Sequence, residues 1–166
     1  MSAAPFAVAV LNEQHDRLGF SCGKEPLDRY LRQQAGQDMR RRVTICYVAI
    51  DNETQRVAGY YTLSASSVLL ADVPASFAKK LPRYPDVPVA RLGRLAVDHS
   101  YRGRRLGAAL LWDAMERSAR SEVAVHALLV DAKDDEASAF YAHHGFAALD
   151  VERRRMLLPV AAIKRV

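Results

Sequence analysis

The chain predicts an α/β fold: a mixed, mostly antiparallel central sheet of six to seven strands with helices on both faces. Three observations carry that expectation. Apolar runs of strand length recur, among them Phe6–Leu11, Val43–Ile50, Val89–Val97 and Val125–Val130. Helical patterns interrupt them in the order β-α-β-β-β-α-β-α-β-β. The length of 166 residues, with 50% hydrophobic and 26% charged residues, suits one domain, residues 1–166, with a sizeable core.

Each element has its own signal. Phe6–Leu11 reads as a first strand rather than a signal peptide, because no basic leader precedes it. Pro26–Leu31 reads as a helix with proline in its first turn and Leu27, Tyr30 and Leu31 on one face. Arg40, Arg41 and Arg42 fall in or near a loop. Val43–Ile50, the turn Asp51–Thr54 and a strand from Arg56 to Leu63 or beyond form a hairpin. In its second strand one of Tyr60 and Tyr61 is expected to face the core and the other a cleft. Leu69–Pro88 contains four prolines and reads as an irregular excursion with a helical turn around Ala75–Lys80. Gly93, inside Val89–Val97, marks a bulge or a close backbone approach. Arg104–Ala119 is a helix and Val125–Val130 a buried strand. Asp134 or Asp135 caps a helix that Gly145 ends. Strands from Phe146 and over Arg155–Ile163 close the chain.

Composition narrows the function. No apolar run reaches the roughly 18 residues of a membrane span. Cys22 and Cys46 form no CxxC pair, so a cytoplasmic setting is expected. The five histidines show no ligand spacing with each other or with cysteine, which excludes a metal site. The net charge of +5 is spread over several clusters, which favours a polyanionic partner.

The densest chemistry lies between Arg91 and Ala114. A strand ending Leu95-Ala96-Val97 leads into Arg102-Gly103-Arg104-Arg105-Leu106-Gly107-Ala108 and then a helix. The first N–H groups of a helix lack intrahelical partners, and its dipole favours an anion there. Glycine allows close approach, and arginines neutralise the charge. This order predicts a phosphate-bearing ligand.

These residues resemble the acetyl-CoA motif of the GNAT acetyltransferases, Gln/Arg-x-x-Gly-x-Gly/Ala. Arg102 and Gly107 fill its ends, and Arg105 stands where the middle glycine is usual. Phe140-Tyr141-Ala142-His143-His144-Gly145-Phe146 resembles the family's aromatic-Tyr-x-x-x-Gly-Phe signature. Further segments, among them Phe20–Asp28, Gly59–Ser64 and Leu92–Asp98, resemble the GNAT toxins of bacterial toxin–antitoxin pairs. The resemblance implies a GNAT fold with a splay between strands 4 and 5. It implies acetyl-CoA as cosubstrate, held by Leu95, Ala96, Val97 and the loop Arg102, Gly103, Arg104, Arg105, Leu106, Gly107 and Ala108. It implies acetylation of the α-amine of an aminoacyl-tRNA, and a ribbon-helix-helix antitoxin as partner. A homodimer and no membrane association are expected.

Tyr141 is the candidate general acid for the leaving thiolate. A phenol near 10 and a thiol near 8.5 make full transfer uphill by roughly 2 kcal/mol. Tyr141 must therefore have a lowered pKa or act by hydrogen bonding. Asp98, Glu25, His99 and His143 are base candidates with no supporting pattern. An α-amine near 7.7–8.0 needs a base less than a lysine near 10.4, which favours an aminoacyl ester. Lys79, Lys80, Arg83 and Arg91 are the candidate tRNA contacts. The alternatives are acetylation of a small-molecule amine, protein N-terminus or lysine, and a non-enzymatic binding module.

Overall fold

The computed structural model describes residues 4–163. Seven strands form a sheet in the order β1-β2-β3-β4-β5-β7-β6. They are β1 Phe6–Val10, β2 Ile45–Asp51, β3 Val57–Leu69, β4 Asp86–Val97, β5 Ala127–Asp131, β6 Ala147–Asp150 and β7 Arg155–Pro159. The helices are α1 Glu25–Arg29, α2 Ala35–Arg40, α3 Ala75–Ala78, α4 Leu106–Ala119 and α5 Asp135–His143. The expected element order holds.

The chain divides into two compact units, each drawn from separate stretches. One runs through Ser64 and resumes over Gly93–Ala114; the other takes Ala65–Leu92 and continues from Met115. In the first unit, β1 pairs antiparallel with β2 from Phe6↔Asp51 to Val10↔Tyr47. β2 then pairs antiparallel with β3, with a bulge at Ala49/Ile50. The core of this unit gathers Phe20, Tyr30, Leu31, Val48, Tyr60 and Ala96. The expected helix at Pro26–Leu31 is longer than its pattern suggests. A π-helical turn over Tyr30–Gln34 joins α1 to α2.

Tyr60 and Tyr61 correct the expectation of one core and one cleft tyrosine. Both are fully buried. Tyr60 Oη donates to Leu27 O, 2.7 Å away, and Tyr61 Oη donates to Asp113 Oδ2 on α4. Alternation places them on opposite faces, and helices cover both faces. Gly59 lets α4 approach: a Cβ there would lie 2.9 Å from Leu110 Cδ1 and 3.0 Å from the Ala96 carbonyl.

In the second unit, β4 and β5 run parallel from Val89↔Ala127 to Leu92↔Val130. β4 itself continues to Val97. β7 pairs antiparallel with β5 and with β6. Val68, Val87, Val89, Ala127, Leu129 and Leu157 form the core. The excursion is shorter than expected because β3 extends to Leu69 and β4 starts at Asp86. β5 starts two residues later than its apolar run, at Ala127. β7 ends at Pro159, and a 3₁₀ turn follows over Val160–Ala162. Among the described residues no helix is long and apolar enough to cross a membrane.

Gly59→Ala should destabilise the protein by about 1–3 kcal/mol through overpacking against Leu110 and Ala96. Gly19→Ala, where nothing lies within 4 Å, should cost under about 0.5 kcal/mol. Urea midpoints of the two variants check this; equal midpoints would contradict it.

Candidate active site

The end of β4 turns on Asp98. Its carboxylate is fully buried and accepts from Ser21 N at 3.0 Å and Ser100 N at 2.8 Å. It caps the 3₁₀ turn His99–Tyr101. A carboxylate committed to two backbone donors is a structural anchor, so Asp98 is removed from the base candidates. His99 Nδ1 donates to Ser21 O at 2.8 Å, and exposed Glu25 pairs with Arg32 at 3.3 Å. His143 is exposed at the end of α5. None of the four is held in a way that selects it as a base.

The loop follows at once. Gly103 has φ 81° and Arg105 φ 59°, both in the left-handed region. The position where the motif usually carries glycine is therefore a left-handed position, and here an arginine occupies it at a conformational cost of about 1–2 kcal/mol. α4 begins at Leu106, two residues later than the helical pattern suggests. Its first ladder bond runs from Ala109 N to Arg105 O, 3.1 Å. The N–H groups of Leu106, Gly107 and Ala108 thus precede the ladder. Left-handed residues leading into a helix start form a concavity of backbone donors that suits an anion.

The arginines divide their work. Arg102 Nη2 donates to Cys22 O, tying the loop to the preceding segment. The Arg104 guanidinium lies 5.4 Å from the Tyr101 ring centroid. Arg105 is exposed. On β4, Ala96 is buried while Leu95 and Val97 are half-buried. The donor set and backbone shape fit the diphosphate of a CoA-type cosubstrate.

In the second unit, α5 is capped by Asp134, whose Oδ1 accepts from Ala137 N at 2.8 Å. Gly145 ends it with φ 99°. Tyr141 is buried between Phe140 and Phe146, with ring centroids 5.3 and 5.4 Å away. Burial pushes its phenol up to about 12. In this structure burial moves the phenol away from the thiol range rather than toward it. Lys79, Lys80 and Arg83 are exposed beyond α3. Arg91 is also exposed, but its Nη2 lies 3.1 Å from Asp131 Oδ2. Asp131 also accepts two bonds from Arg155, at 2.8 and 3.2 Å.

Sequence reasoning missed Asp98 as an anchor and Asp131 as a shared carboxylate. Asp98-x-Ser100 carries the spacing of a side-chain cap, which could have revealed the first. The second depends on strand register and leaves no local signal.

A strand-to-helix anion cradle on this sheet suits an enzyme with a diphosphate-bearing cosubstrate. Residues 8–146 match the model of the acetyltransferase (GNAT) family, and the chain belongs to that family. It is 37% identical over 150 residues to the tRNA-acetylating toxin of Mycobacterium tuberculosis, covering 89% of this chain and 88% of that protein. It is 28% identical over 160 residues to the probable toxin TacT of Sinorhizobium fredii, covering 91% and 88%. Among solved structures, AtaT complexed with acetyl-methionyl-tRNAfMet matches with a TM-score of 0.87 at 32% identity, covering 95% of this chain and 96% of that one. A tyrosine-to-phenylalanine variant of KacT matches with a TM-score of 0.88 at 28% identity, covering 96% and 98%.

Arg105→Gly should leave acetyl-CoA affinity within about fivefold, the ceiling for an exposed charge contact near 1 kcal/mol. Arg105→Val, β-branched at a left-handed position, should cost about 1–3 kcal/mol of stability. Calorimetric titration and thermal melts check both; a collapse of affinity in the glycine variant would assign the anion contact to the side chain.

Proposed function

We propose that the protein transfers an acetyl group from acetyl-CoA to the α-amine of an aminoacyl-tRNA, acting as the toxin of a toxin–antitoxin pair that blocks translation. The observation that carries the reading is the left-handed Gly103–Arg105 turn at the start of α4, together with the likeness to tRNA-acetylating relatives. AtaT has also been solved with acetyl-CoA and with its antitoxin AtaR, and KacTA with DNA. A ribbon-helix-helix antitoxin and a homodimer complete the proposal.

In this reading the N–H groups of Leu106, Gly107 and Ala108 bind the diphosphate, helped by the dipole of α4. Backbone donors of Leu95–Val97 polarise the thioester carbonyl. The amine nitrogen bonds to that carbon as the C–S bond breaks. The amine's proton leaves to water, and a proton returns to the thiolate. Tyr141 serves the leaving sulfur. With its phenol near 12, full proton loss to a thiolate near 8.5 would be uphill by roughly 5 kcal/mol. Tyr141 therefore acts as a hydrogen-bond donor that stabilises the thiolate while keeping its own proton. An aminoacyl α-amine is largely neutral near pH 8, so the missing base is no obstacle. Lys79, Lys80, Arg83 and Arg91 contact the acceptor-stem phosphates.

Tyr141→Phe should retain acetyl-CoA affinity and slow single-turnover transfer by at least about tenfold. For the native enzyme, rate should rise below pH 8 as the amine deprotonates, its pKa lowered by the ester below the roughly 7.7–8.0 of a peptide α-amine, and then hold through pH 10, since Tyr141 stays protonated until near 12. A fall near pH 9 would contradict this assignment. Radiolabelled acetyl-CoA incubated with charged and uncharged bulk tRNA tests the acceptor. Label should appear only on charged tRNA; label on neither would refute the reading. Replacing Lys79, Lys80 and Arg83 with alanine should flatten the salt dependence of tRNA binding, the logarithmic slope falling by about one for each phosphate no longer neutralised.

A further inference from the structure

Tyr141 is the third residue from the end of α5, and the way that helix stops governs its surroundings. α5 ends at His143, His144 caps it, and Gly145 follows in the left-handed region at φ 99°. Gly145 N donates to Ala142 O at 3.1 Å, and Phe146 N donates to Tyr141 O at 3.1 Å. These are the two bonds of a Schellman stop. Such a stop brings the residue after the left-handed position onto the third residue from the helix end. Here that pair is Phe146 and Tyr141, whose ring centroids lie 5.4 Å apart at 60°. Phe146 is buried, and β6 begins directly after it, pairing with β7 from Ala147↔Leu157. The ring against Tyr141 is thus held by a helix stop on one side and a strand on the other.

No hydrogen bond aims the phenol. Among the described residues Tyr141 Oη has no hydrogen-bond partner, and it is not sealed from solvent. A long side chain on a helix has two open χ1 directions, so ring packing must choose between them. Phe140 supplies one wall, with a centroid 5.3 Å away, but it is itself half-buried and leans on His144. Phe146 is the buried wall. Gly145 is needed for its backbone and not for lack of room: a Cβ there would find its nearest atom, Leu158 Cδ1, at 3.6 Å.

We infer that Phe146 is a positioning residue for Tyr141, set in place by the left-handed stop at Gly145: its ring directs the phenol toward the leaving sulfur and shields it from water. Phe146 acts through Tyr141 and touches neither substrate. This rests on the reading of Tyr141 as the thiolate's hydrogen-bond donor.

The test combines single-turnover transfer from acetyl-CoA to charged tRNA with carbon-13 resonances of the Tyr141 phenol, both in the full-length protein. Phe146→Leu keeps an apolar side chain and loses the ring. It should slow transfer by about tenfold, as a small misplacement of a reacting group does, with both KM values within about twofold. In the Tyr141→Phe background the same substitution should change the rate by less than about twofold, because its target is gone. The native phenol should not titrate below about pH 11, whereas in Phe146→Leu its midpoint should move toward the ordinary value near 10. Gly145→Asn tolerates the left-handed backbone and should keep more of the rate than Gly145→Ala. That pair decides the matter if Phe146→Leu fails to bind acetyl-CoA and so to fold; equal rates in the two would then count against positioning. An additive loss in the double variant, or a phenol titration unmoved by Phe146→Leu, would overturn the proposal. If Tyr141→Phe alone leaves the rate unchanged, the donor reading falls, and the phenol titration by itself decides whether Phe146 holds the ring.

Discussion

One buried carboxylate sets the geometry on which the anion cradle depends. Asp98 stands at the junction of β4 and the loop, fully excluded from water. Burying a charge is costly unless it is hydrogen-bonded, and here Ser21 N and Ser100 N supply the donors. The Arg56 guanidinium, 3.9 Å away, adds a weak counter-charge from a more exposed position. Backbone bonds reinforce the junction: Asp98 N donates to Ala58 O at 2.8 Å and His99 N to Ser21 O at 2.9 Å. Arg102, bonded to Cys22 O, extends the same seam by four residues. The loop thus enters its left-handed turn from a fixed starting point, and α4 receives its orientation from a braced backbone.

Much of this was legible in the residues, for identifiable reasons. The strand–loop–helix order could be read because an apolar run, a glycine- and arginine-bearing turn and a helical period follow each other without a gap. The α5 cap at Asp134 and its glycine stop at Gly145 are local features that need no tertiary context. Arg105 stood out as a departure from the motif, and its φ of 59° explains why glycine is usual there. Other features depend on non-local packing. Alternation put Tyr60 and Tyr61 on opposite faces, but only the covering helices make both faces interior. The π-helical turn has no periodic signature over five residues. Asp131 meets Arg91 and Arg155 only because β4, β5 and β7 adopt one particular register.

The chemistry follows from environments more than from residue types. Tyr141 would be an ordinary phenol in water. Burial beside Phe140 and Phe146 raises its pKa, which rules out easy proton loss and leaves it a neutral donor through the physiological range. That suits a reaction whose leaving group needs a hydrogen bond and whose nucleophile is already neutral. The same logic separates the arginines. Arg102 is spent on the fold and Arg91 is partly offset by Asp131, whereas Arg94 lies over the Tyr30 ring and near enough to Asp38 to help hold that carboxyl below its usual range. Cationic side chains that look alike in the sequence thus fall into anchors, screened charges and ring-stacked cations.

The central claim is that backbone donors at the start of α4 hold the cosubstrate's diphosphate. Amide resonances of Leu106, Gly107 and Ala108, followed during titration with CoA and separately with inorganic pyrophosphate, test it directly. The account predicts that both ligands shift these three amides in the same direction, as new hydrogen bonds to an anion require. Amides that stay unmoved while CoA binds elsewhere would contradict it.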